Sequence, residues 1–135
     1  MRAALKSIFC WDMPTVDLEH WVPETKDFGF KVVLFMGAED DQKSDAFDAF
    51  VCTPWFFAAN MADNQIAAGQ YTFFVKRFDY LKLRQCIEDY VRRCEGNSWP
   101  EVARKLAHIG AWEFDDFNTR ILPKPITQIL PIKSS

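Results

Sequence analysis

Only two histidines and five glycines occur in the 135 residues of this chain, and each scarcity removes a class of chemistry. Zinc sites draw on closely spaced Cys and His. His20 and His108 lie far apart in sequence, and no CxxC pair occurs among Cys10, Cys52, Cys86 and Cys94, so no metal is expected. The glycines never take the GxGxxG or GxxxxGK spacing that cradles phosphate, so no nucleotide cofactor is expected either. No run approaches the roughly 18 apolar residues of a membrane-spanning helix. The positive charge near Met1 is not followed by an apolar stretch of signal-peptide length, because Lys6 and Trp11-Asp12 interrupt it. These absences predict a cytoplasmic chain whose four cysteines stay reduced and serve as small buried hydrophobes.

What the chain does have is apolar and aromatic mass. Hydrophobic residues make up 49% and aromatics 16%, with thirteen Phe and five Trp. That composition excludes disorder, and a chain of this length is one domain that buries about two thirds of its unfolded surface. The domain is expected over residues 1–117, followed by a tail over 118–135 that contains Pro123, Pro125 and Pro131. The net charge is only −3, but it is unevenly spread. Asp12, Asp17, Glu19, Glu24 and Asp27 face one base, Lys26; Glu39, Asp40, Asp41, Asp45 and Asp48 face one base, Lys43. From Lys76 to Cys94 the balance reverses to six bases against three acids. An acidic first half suits a basic partner rather than nucleic acid, although solvated loops account for such charge equally well.

Periodicity supplies the elements. Ala3 to Cys10 reads as a first strand. Phe28, Phe30, Val32, Leu34 and Met36 share one face of a strand over Phe28 to Gly37. Gly37 to Ser44 then forms a hairpin-like connection to a return strand over Asp45 to Thr53. Thr53-Pro54 starts a short helix to about Asn60. Gly69 to Arg77 alternates again and is expected as a strand near the middle of the sheet. Leu83, Cys86, Ile87, Tyr90, Val91 and Cys94 form one helical stripe, capped by Asp79 and ended by Gly96. Ser98-Trp99-Pro100-Glu101 is a capping box opening a helix that buries Trp99, Val102, Ala103 and Leu106 and stops at Gly110. A short edge strand is expected around Ile126 to Leu130. The order implies an α+β fold: a mostly antiparallel sheet of about four to five strands covered by two or three helices.

Candidate chemistry is sparse. Cys52 ends a strand before a helix start, where thiols can be activated, but a buried strand cysteine is the simpler reading, and neither His20 nor His108 is visibly paired with it. Glu113, Asp115 and Asp116, flanked by Trp112, Phe114 and Phe117, could do acid–base work; a strand or turn packing its aromatics inward fits better. Trp11, Trp21, Trp55 and Trp112 fall at element ends or loops. Trp beside acids matches interface anchors, yet for each of them core packing is the expectation.

Four motifs in order resemble the immunity protein 8 family of bacterial polymorphic-toxin and contact-dependent inhibition systems. They are Phe28-Gly29-Phe30, Cys52-Thr53-Pro54-Trp55, Trp99 with its amphipathic helix, and Trp112-Glu113-Phe114-Asp115-Asp116-Phe117. The resemblance spans roughly residues 1 to 117; Phe56-Phe57 departs from it where an aliphatic residue is expected after Trp55. It implies a non-catalytic cytoplasmic domain that neutralises the C-terminal toxin domain of a cognate effector, often a nuclease and therefore basic where it holds phosphate. The expected partner-binding residues are the loop Glu39, Asp40, Asp41 and Asp45, and the late cluster Glu113, Asp115 and Asp116. The rival readings are a small enzyme using that late cluster and an adaptor module with a constitutive partner.

Overall fold

The computed structural model describes residues 1–114. The expected tail, its strand around Ile126 to Leu130, and Asp115, Asp116 and Phe117 lie outside the described residues. Strands β1 (Ala3–Cys10), β2 (Gly29–Ala38) and β3 (Asp45–Cys52) form a continuous antiparallel meander. Phe28, Phe30, Val32, Leu34 and Met36 are all buried on one face, as their alternation requires. They meet Phe47, Ala49 and Val51 of β3 across the ladder and Leu5, Ile8 and Cys10 of β1 on the other side.

Helices α2 (Tyr80–Val91) and α3 (Trp99–Leu106) close this face with Leu83, Ile87, Val91, Val102, Ala103 and Leu106. Each begins as its sequence dictates. The Asp79 carboxylate accepts from the Lys82 N–H, and the Ser98 hydroxyl accepts from the Glu101 N–H. The reciprocal half of the Ser98 box lands one residue early, since Glu101 accepts from the N–H of Asn97. Helix α1 (Pro54–Ala59), capped by Thr53, packs on the opposite face, where Phe56 and Phe57 cover Phe50 and Cys52. The return strand is therefore apolar on both faces at this end.

Several expectations need correction. The strand expected over Gly69 to Arg77 shrinks to β4 (Thr72–Phe74), which pairs parallel with Phe50, Val51 and Cys52 at the sheet's edge rather than near its middle. Tyr71 adopts a left-handed φ of 58°, which turns the chain so that pairing starts only at Thr72. A further strand, β5 (Ala111–Trp112), joins the same side of β3 at Phe47 and Asp48. Helix α2 ends at Val91 and not at Gly96, because Arg92, Arg93 and Cys94 close the last turn with i→i+3 and i→i+4 bonds. Likewise α3 ends at Leu106, before Gly110. Cys86 is exposed, whereas Cys10, Cys52 and Cys94 are buried as expected. Trp11 and Trp55 are exposed by 57% and 69%, so neither is core; Trp21 and Trp112 are half-buried against it.

Candidate binding surface

Because β1, β2 and β3 alternate in direction, the two acidic stretches of the sequence fall at opposite ends of the sheet. Residues 12–27 join β1 to β2 at the end where β3 finishes. Their acids are partly structural: Asp12 accepts from the Lys31 N–H, and Asp17 meets His20 at 2.7 Å. Residues 39–44 form the β2–β3 hairpin tip at the other end. A Cβ at Gly37 would collide with the Lys43 carbonyl oxygen, so this tight return needs the glycine.

At the tip, Glu39, Asp40 and Asp41 are exposed. The Glu39 and Asp40 carboxylates have no hydrogen bond or ion pair among the described residues. Asp41 caps its own turn by accepting from the Lys43 N–H, while Lys6 donates to the Asp41 carbonyl. The base of the tip is held by Asp45. One carboxylate oxygen, Oδ2, accepts from the indole N–H of Trp99 at 2.7 Å and of Trp112 at 3.0 Å. Such charge-assisted bonds are stronger than neutral ones, and here they tie β3 to α3 and β5 at once. Asp45 is thus half-buried and structural, which corrects its expected place on a freely exposed loop.

Glu113 comes to the same end. It follows β5, its Oε1 accepts from the Ala46 N–H at 2.8 Å, and its own N–H donates to the Ala46 carbonyl. The loop and Glu113, separate in sequence, therefore converge around the start of β3. What sequence reasoning missed is the joining device, the two indoles on Asp45. Its only sequence signal is that an acid at the strand start and two Trp outside strand alternation each need a polar partner.

Little here favours covalent or metal chemistry. Burial pushes the Cys52 thiol up to about 12, away from a reactive thiolate. Asp17 holds His20 above its ordinary value through a hydrogen bond on an exposed loop. Among the described residues, no three His, Cys, Asp or Glu side chains gather as metal ligands. No helix among the described residues is long and apolar enough to cross a membrane.

A different surface opens at the far end, where β4 and the start of α2 flank a groove of about 820 Å³ carrying Lys76, Arg77 and Lys82. The hairpin tip thus presents carboxylates and the groove lining presents cations, while the acidic segment of residues 12–27 lies at the groove's end of the sheet. Comparison with known proteins gives one match. The sequence model of the family described as Immunity protein 8 covers residues 3–117. No curated protein and no solved structure matches the chain.

Proposed function

We propose that this chain, which belongs to the immunity protein 8 family, neutralises its cognate toxin by docking the hairpin tip onto a basic face of the toxin domain. Family membership implies an immunity protein directed against a toxin. The finer reading is that the partner is the C-terminal domain of a polymorphic or contact-dependent effector, a nuclease acting in the cytoplasm that this protein guards. A nuclease must carry cations where it holds the phosphate backbone, and an acidic tip complements them and speeds encounter. The observation that carries this reading is the pair of unpartnered, exposed carboxylates of Glu39 and Asp40 on a hairpin clamped at its base by Asp45. A tip held this way is pre-organised, so binding costs less conformational entropy. Glu113 contributes at the rim, and Asp115 and Asp116 extend the same acidic run in sequence.

The late acids fit an enzyme poorly. Glu113, the described member, spends an oxygen on the β3 backbone. Inhibition by binding requires only the surface. Co-expression with a toxic effector domain encoded by a neighbouring gene tests the proposal: wild-type chain, His20→Ala and His108→Ala should all preserve growth and co-purify with that domain. Growth arrest despite full expression of the wild-type chain would contradict it.

A further inference from the structure

The groove between β4 and α2 lies at the opposite end of the sheet from the hairpin tip. Its wall is an unpaired strand edge. In β4, Tyr71 O and Val75 N are used toward β3, accepting from the Phe50 N–H and donating to the Cys52 carbonyl. Backbone groups alternate in direction along a strand, so the N–H and C=O of Thr72 and Phe74 point away from β3. No other strand among the described residues covers that edge. Edge strands left open in this way template the pairing of an added strand.

The opposite wall is the first turns of α2, contributing Lys82, Leu83 and Cys86, and Lys76 and Arg77 lie where the groove bends between them. Phe74 is half-exposed beside it. Lys76, Arg77 and Lys82 are exposed and make no side-chain hydrogen bond or ion pair among the described residues. The arginines farther along the helix differ: Arg84 pairs with Glu88, Arg92 with Asp89, and Arg93 donates to the Asp89 carbonyl. The only carboxylate lining the groove, Asp79, is occupied as the helix cap. Among the lining residues, three free cations stand against one engaged acid. Its volume of about 820 Å³ lies within the range of ligand sites.

We propose that this groove binds an extended, acidic peptide segment of a protein partner, which adds to the sheet as a strand alongside β4. Backbone pairing with Thr72 and Phe74 supplies the register, and Lys76, Arg77 and Lys82 select carboxylates on the incoming strand. Three residues of β4 span only about 10 Å, so the cations supply much of the affinity and binding is salt-sensitive. The proposal does not rest on the toxin reading. The two surfaces are at opposite ends of the sheet, and each fails separately.

Cys86 provides the probe, being exposed in the groove while the other three cysteines are buried. The full chain is titrated with a synthetic peptide of alternating Glu and Val, while alkylation of Cys86 by iodoacetamide is followed by mass spectrometry. Three comparison ligands are used: the peptide with Lys for Glu, the peptide N-methylated on alternate backbone nitrogens, and an oligouridylate in place of peptide. The acidic peptide should slow alkylation at low salt, and the N-methylated and Lys peptides should not. Lys76→Glu with Lys82→Glu, both on exposed side chains, should weaken the acidic peptide roughly tenfold while leaving the thermal melt unchanged. Equal protection by the Lys peptide or by oligouridylate would overturn the proposal. So would unweakened binding to the double variant, or a dimer in solution whose Cys86 is already protected without peptide.

Discussion

The hairpin end and the groove end of this molecule are built from the same sheet by different means. At the hairpin end the chain turns back on itself over six residues, and β5 and Glu113 return from far along the sequence to cover the start of β3. At the groove end the chain leaves β3, forms α1, and returns through β4 in the parallel sense, leaving an unpaired edge. The first arrangement yields a closed, braced protrusion; the second yields a cleft. One sheet thus offers an acidic knob where β5 covers the start of β3, and a slot where the edge of β4 is left without a neighbouring strand among the described residues.

The largest test of this contrast is in the shared core. Ile87 is fully buried on α2, under the groove wall. Ile87→Ala should cost about 2–5 kcal/mol in denaturant melts, and amide exchange should rise more in α2 than in the β2–β3 ladder. Uniform loosening of both would mean that the two ends are not separable. At the hairpin end, Asp45→Ala orphans two indole N–H groups and should cost about 2–3 kcal/mol, with a red shift in Trp emission as Trp99 and Trp112 open to water. A cost under about 0.5 kcal/mol, the usual range of exposed substitutions, would show that the carboxylate does not brace the tip. Ser98→Ala, which removes one cap of α3, should cost only about 1 kcal/mol.

How much of this was legible in sequence differs between the ends. The strand Phe28 to Gly37 and the stripe Leu83, Ile87, Val91 announced themselves because their burial follows a local period. So did the Thr53, Asp79 and Ser98 caps, which act within three residues. The acidic character of Glu39, Asp40 and Asp41 was also plain. The Asp45 clamp was not, since its partners lie 54 and 67 residues away and indole bonding leaves no periodic trace. The edge position of β4 was equally hidden, because alternation over Tyr71 to Val75 says that a strand forms and nothing about which neighbour it meets. Cys86 sits on the apolar stripe by spacing yet is exposed, because the groove leaves that flank of α2 uncovered.

The smallest effect is electrostatic and belongs to the loop of residues 12–27. The hydrogen bond between them raises His20 above its ordinary value and lowers Asp17 below its own. Stability from the raised His20 is fully present below its unfolded pKa of about 6.5 and is lost as pH rises through the folded value. Stability from the lowered Asp17 is present above about 3.9 and is lost as pH falls through its folded value. The pair therefore contributes only in the acidic window between, and His20→Ala should reduce the melting temperature slightly at about pH 5 and not at about pH 8. Both side chains are fully in solvent, so screening keeps the change near the limit of detection.

The central claim is that the hairpin tip recognises a basic toxin face, and the association rate with the toxin domain tests it most directly. Stopped-flow binding is measured at low and high salt for the wild-type chain, for Asp40→Lys with Asp41→Lys, and for Lys76→Glu with Lys82→Glu. Both double variants change exposed side chains; reversal in the groove should alter stability by about 0.5 kcal/mol or less, while Asp41→Lys also removes the bond from the Lys43 N–H and should cost about 1 kcal/mol. The account predicts that reversal at the tip slows association at low salt and flattens its salt dependence, while reversal in the groove leaves the rate near wild type. Wild-type association by the Asp40→Lys, Asp41→Lys chain at low salt would contradict it.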